Sequence, residues 1–237
     1  MRTYDLYLES GPQQRKTLVH VIELLGCVAN GGTTDEAVAA TPDAIRAYVR
    51  YLRRHSEPVD PDEPFSTRIA EHITTGDFLG QGSPQAVYQP DLRPLTPKDL
   101  DRYLRWLEWS RADLLALVDG IDERRLYHKP QRGRSLREIL DHVLGADQAY
   151  VYGLVGPLKS MGNPTNAAAR GALDLREALR EAREAAIARL RLLTAEERRA
   201  VRRHGKTTRT ARNRIRRMLE HEWEHRREIA ARLGDDA

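Results

Sequence analysis

Four stretches of apolar residues at helical spacing, all beyond residue 95, set the strongest constraint on how this chain can fold. The first opens at Thr96-Pro97, an N-cap followed by proline at the first helical position, where its missing N–H costs nothing. It carries Leu100, Leu104, Leu107, Leu114, Leu117 and Val118 on one side, and Gly120 with a polar loop ends it. Ser135 followed by Glu138 reads as a capping box for the second stretch. The third runs from about Leu173 to Leu193 with Leu175, Leu179, Ala182, Ala186 and Leu190 inward, and the fourth begins near Thr208 or Thr210. GPLKSMGNPTN, from Gly156, is too rich in Gly, Pro and Asn to be expected as helix. An apolar helical stripe must be buried against another. Four stretches of roughly 18 to 26 residues therefore predict an all-α, up-down four-helix bundle over residues 96–237.

Residues 1–95 follow another pattern, and an α+β domain is expected there. TYDLYL and TLVHVI are short β-rich runs separated by Ser10-Gly11-Pro12. A Gly-rich turn leads to an N-cap at Thr33 or Thr34 and a helix that Pro42 is expected to kink or break, because proline removes a backbone donor. Asp43 to Arg54 continues as helix with Ile45, Val49 and Leu52 on one side. STRIAEHI and QAVYQPDL are expected to return as strands around a turn at DFLGQGSP, making the end of this half an extended β-rich tail.

Composition points to an ordinary cytoplasmic protein. A hydrophobic fraction of 40% allows a real core, and a charged fraction of 31% keeps the surface wet. The single Cys27 excludes an intrachain disulfide, fits a reducing compartment and reads as a packing residue in a turn-like segment. Met1 to Ser10 is polar and strand-like rather than a signal peptide. No apolar run approaches the roughly 20 residues needed to cross a bilayer.

Chemistry enters through histidine. His221 and His225, in LEHEWEHRREI, stand one turn apart on the fourth helix, about 6 Å along its axis, close enough for two imidazoles to converge on one ion. They edge an apolar arc formed by Ile215, Met218, Leu219, Ile229 and Leu233. His142 lies on the second helix on the side of Leu136, Ile139, Val143 and Ala146, and is expected to point inward, with Gly145, Ala149 and Gly153 leaving space around it. Three unrelated histidines are the bland alternative. A shared metal site made of His142, His221 and His225 would keep a coordination position open for water or substrate, the pattern of a reactive centre.

HEWEH also spells the zinc-protease motif H-E-x-x-H, in which the glutamate is the general base. The following RREIAARLGDD holds no histidine, and Glu222 falls near the middle of the apolar arc, about 60–100° from either imidazole. A packing or supporting role for Glu222 is expected instead, and protease chemistry is not.

The helical half resembles the DinB-like family over about residues 96 to 235, through LRWLEWSRADLLALVDGI, SLREILDHVLGADQAYVYGL and HEWEHRREI. The resemblance implies a damage-inducible-type four-helix bundle whose metal is held by one His of the second helix and an H-x-x-x-H pair of the fourth, here His142, His221 and His225. It further implies a divalent metal, Zn or Ni first with Fe or Mn as alternatives, and in several relatives the transfer of a low-molecular-weight thiol onto a small electrophile. LLGCVANGGTTDEAVAATPDAI resembles the HicB-like family through its Gly-Cys…Gly…Thr…Glu-Ala pattern, over about residues 1–60. That resemblance implies a small α+β fold, in relatives often an antitoxin that blocks a ribonuclease.

Arg198 to Arg217 contains nine Arg, one Lys and no acidic residue, yet the net charge of the chain is only +4. No interleaved aromatics accompany the run, so it is read as a solvated loop and helix start rather than a nucleic-acid site. His20, His55, His72, His128 and His204 are read as surface or packing residues, and no residue is singled out as catalytic. Tyr150, Tyr152, Trp106 and arginines are candidates to line the site. Two functions remain open. One is a metal-dependent enzyme, a thiol S-transferase or hydrolase acting on a small molecule, with no membrane or nucleic-acid partner and a homodimer as the family's usual assembly. The other is a non-catalytic stress-response or antitoxin-like module that engages a protein or RNA.

Overall fold

The computed structural model describes residues 1–235. It forms two compact units, one of Met1–Pro94 with Val201–Glu220, the other of Leu95–Ala200 with the chain from His221 onward. Residues 201–220, grouped by sequence with the helical half, thus pack with the first unit.

In the first unit, β1 (Arg2–Ser10), β2 (Arg15–Val21), β3 (Cys27–Thr33) and β4 (Phe65–Ile73) form one sheet in the order β3-β2-β1-β4. β1–β2 and β2–β3 are antiparallel, whereas β4 runs parallel to β1. A parallel return needs a crossover. Helix α1 (Thr34–Arg54) supplies it, packed on β2 and β3. Thr33 and Glu36 close its capping box. The helix runs on through Pro42, against the expected break. A proline inside a helix costs about 3 kcal/mol, whereas burying Ile45, Val49 and Leu52 on the sheet stabilises by about 1.5–3 kcal/mol each. Packing wins. Cys27 begins a strand rather than a turn and is buried.

QAVYQPDL does not form a strand. Ala86, Tyr88 and Asp91 are buried, Gln89–Leu92 is a single 3-10 turn, and the Tyr88 N–H donates to Asp91 Oδ2 at 3.1 Å. Asp91 is needed elsewhere. Its carboxylate accepts from Arg216 Nε and Nη2, both at 2.9 Å, and Arg216 also donates to Glu220, which lies 2.8 Å from His20 Nδ1. Part of the basic run is therefore buried, not solvated: Arg214, Arg216 and Arg217 are all inaccessible. Within the run, the exposed β5 (Arg202–His204) and the half-buried β6 (Thr207–Arg209) form a small hairpin.

The second unit holds α2 (Pro97–Val118), α3 (Glu123–Tyr127), α4 (Leu136–Val155), α5 (Lys159–Ala169), α6 (Leu175–Arg191), α7 (Ala195–Arg199) and the later turns of α8 (Ala211–Asp235). Thr96, Ser135, Asp174 and Thr210 accept from backbone N–H groups at the starts of α2, α4, α6 and α8. Leu114, Val118, Ile139, Val143, Ala178, Leu179, Ala182 and Ile229 share one apolar core. α5 was not expected. KSMGNPTNAAA is helical because Met161, Pro164 and Ala168 are buried and the helix packs against α6, so tertiary contact overrides poor propensity. Among the described residues no helix is long and apolar enough to cross a membrane.

Candidate metal centre

α4 and α8 bring the three imidazoles together. His142 Nε2 stands 2.9 Å from His221 Nε2, and ring centroids lie 4.7 Å apart for His142–His221, 5.1 Å for His142–His225 and 4.5 Å for His221–His225. One nitrogen from each ring can be chosen so that all three lie within 4.8 Å of one another. His142 is exposed, against the inward placement expected of it, whereas His221 and His225 are partly buried. The cluster therefore sits at the surface edge of the unit, with one imidazole facing solvent and two backed by protein.

Electrostatics favour neutral rings at His142 and His225. Burial lowers the pKa of His142, and the neighbouring charges of His225 and Arg134 push the same way, against Glu228. Burial also lowers that of His225, although its bond to Glu228 pulls upward. Nδ1 of His225 lies 2.8 Å from Glu228 Oε2, so a proton there is held by the carboxylate and Nε2 is left for the cluster. Glu228 is fixed in turn by Arg232 at 2.7 Å, with Arg134 at 3.6 Å. Sequence reasoning passed over Glu228, although its i+3 spacing from His225 was readable.

Behind the cluster lies a buried ionic ring, with one member from each of α2, α4, α6 and α8. Arg111 Nε donates to Glu222 Oε1 at 2.6 Å and its Nη2 to Asp147 Oδ2 at 2.8 Å; Arg183 Nη2 reaches Asp147 Oδ2 at 2.8 Å and Glu222 Oε2 at 2.6 Å. Arg183 also donates to Leu107 O at 2.8 Å, and Arg111 to Leu179 O. Two cations against two anions leave the ring neutral. Burial alone would raise the Glu222 pKa, but Arg111 and Arg183 outweigh it and keep the carboxyl below its ordinary value. A carboxylate held by two guanidiniums is no general base, so the H-E-x-x-H reading fails on geometry.

Of the remaining candidates, Tyr150 approaches the cluster, its ring centroid 6.0 Å from that of His221. Tyr152 is largely exposed, and Trp106 is fully buried against Tyr103, so it lines no open site. His20 is buried beside Glu220, and His72 Nε2 lies 2.7 Å from Ser10 Oγ.

The family model described as the DinB superfamily matches residues 106–229, just over half of the chain, and the match contains all three histidines. The chain belongs to the DinB superfamily. Members of this superfamily commonly bind metal. No curated protein and no solved structure matches the chain.

The donor set fits a divalent ion. Imidazole nitrogens bound to zinc at about 2.0–2.1 Å in a tetrahedron are about 3.4 Å apart. The spacings here, from 2.9 Å to no more than 4.8 Å, come within small side-chain rotations of that value.

Proposed function

We propose that this DinB superfamily protein is a metal-dependent enzyme whose ion is held by His142, His221 and His225. The carrying observation is the convergence of three imidazole nitrogens from two helices. Zn and Ni are the first candidates, Fe and Mn the alternatives, because imidazole suits all of these and the cluster holds no thiolate or carboxylate ligand to narrow the choice. Such an ion lowers the pKa of a bound water or thiol and provides a nucleophile near neutral pH. The chain's own residues do the rest. Glu228 orients His225, the Arg111–Glu222–Arg183 contacts hold α8 in rotational phase, and Tyr150 borders the cluster.

The reaction class that suits an open three-histidine centre in this superfamily is transfer of a low-molecular-weight thiol to a small electrophile. We read the second unit as an up-down four-helix bundle of a cytoplasmic homodimer, and residues 1–60 as HicB-like, with the antiparallel strands β3-β2-β1 and the helix α1 that follows them as the supporting features. Elemental analysis of the purified protein beside His142→Ala, His221→Ala and His225→Ala variants tests the centre. Thiol consumption with a simple electrophile then tests the reaction. A protein free of metal after growth and reconstitution would leave the other reading, a stress-response module that engages a protein or RNA.

A further inference from the structure

A cavity of about 290 Å³ lies between the second half of α4 and the start of α5. Gln148 and Tyr152 line it from α4, and Lys159, Asn163 and Asn166 from α5, over Met161. Its volume is at the small end of ligand pockets and suits a molecule of dipeptide size. Among the described residues the side chains of Gln148, Lys159, Asn163 and Asn166 have no partner; Gln148 is half-buried and the other three stand exposed at the rim. Three of them are carboxamides, each presenting a donor and an acceptor, the pair of groups that a peptide bond matches in both directions. The only charge in the lining is the Lys159 ammonium, and no carboxylate opposes it. Leu158, at the N-cap of α5, offers no side-chain oxygen, so the first N–H groups of the helix add to the positive potential.

We infer that this cavity binds a small carboxylate-bearing molecule that contains amide groups. Lys159 takes the carboxylate, the three carboxamides pair with the amides, and Tyr152 with Met161 provides the apolar wall. The site is separate from the histidine cluster, since Gln148 lies about 9 Å along α4 from His142. It stands whether or not a metal occupies the histidines.

The test uses the full chain and N-acetyl-glycylglycine as probe, followed by NMR titration of side-chain amide signals. Saturable shifts are expected at Gln148, Asn163 and Asn166. Binding should weaken about fivefold in Lys159→Met, and by a similar factor when the probe's terminal carboxylate is replaced by an amide. Asn166→Leu, at an exposed position, should weaken it without unfolding the protein. His142→Ala should leave the titration unchanged, which separates this pocket from the metal centre. Signals that do not move, equal binding of the neutral probe, or Lys159→Met protein that titrates as wild type would each overturn the inference.

Discussion

Glu222 follows His221 directly on α8, yet the two side chains serve different parts of the structure: His221 meets His142 at 2.9 Å, while Glu222 is bound by Arg111 and Arg183 at 2.6 Å each. Successive helical residues are turned by about 100°, so a helix that buries one of them on the core presents the other at its edge. The ionic ring thereby fixes the direction in which His221 projects.

Glu222→Gln should destabilise the protein by about 3–5 kcal/mol, since it leaves two buried guanidiniums short of one anion. His221→Ala, at a partly buried edge position, should cost no more than about 1 kcal/mol. Urea denaturation of both variants checks the contrast. Equal losses would show that the ring does not anchor α8.

Removing Glu228 should affect metal rather than fold. With its carboxylate gone, Nδ1 of His225 loses the partner that sets the tautomer, and metal affinity should fall about 10- to 100-fold in Glu228→Ala. Competition against a chelator of known affinity measures this. Glu228→Gln, which can still accept a hydrogen bond, should recover part of the loss.

The histidines also set a pH dependence. Both His142 and His225 have folded-state pKa values below the ordinary one. As pH falls below the unfolded value of about 6.5, the unfolded chain takes up protons before the folded one, so stability declines until the lowered folded values are passed. Metal binding adds to the slope, because protons compete for the same nitrogens. Thermal midpoints of metal-free protein between pH 7.5 and about 5 should fall, and less steeply in the His142→Ala/His225→Ala double variant.

Much of this was legible along the chain, and the misses share a cause. Thr33, Thr96 and Ser135 announced helix starts because capping is local, needing only a side-chain oxygen and an amide three residues on. His221 and His225 could be paired because helical phase fixes which residues share a face, whereas the inward placement that phase gave His142 is not what the structure shows. Helix α5 and the passage of α1 through Pro42 were hidden, since both depend on what the segment packs against rather than on its own residues. The same holds for Arg111, Arg183 and Arg216. A buried arginine is intelligible only with its carboxylates, and apart from Glu220, four residues beyond Arg216, those lie 36 to 125 positions away. Glu222 on an apolar arc was the one visible hint that the core holds charge.

The buried network of the first unit makes the last prediction. Burial by itself would raise the pKa of Glu220, but Arg216, His20 and Arg217 outweigh it and hold the carboxyl far below the ordinary range. A carboxylate with a depressed folded value contributes stability that is complete above the unfolded pKa, about 4.3, and is lost as pH falls toward the folded value. Acid unfolding should therefore steepen below about pH 4.5. Glu220→Gln should be less stable than wild type by about 3–5 kcal/mol at neutral pH, because Arg216 and Arg217 keep their charge. The gap should narrow as pH falls through this range, when the wild-type protein begins to lose what the variant already lacks. Denaturant midpoints measured at pH 7, 5 and about 3.5 test this, and a constant difference across them would place the stabilising contribution of Glu220 elsewhere than in its charge.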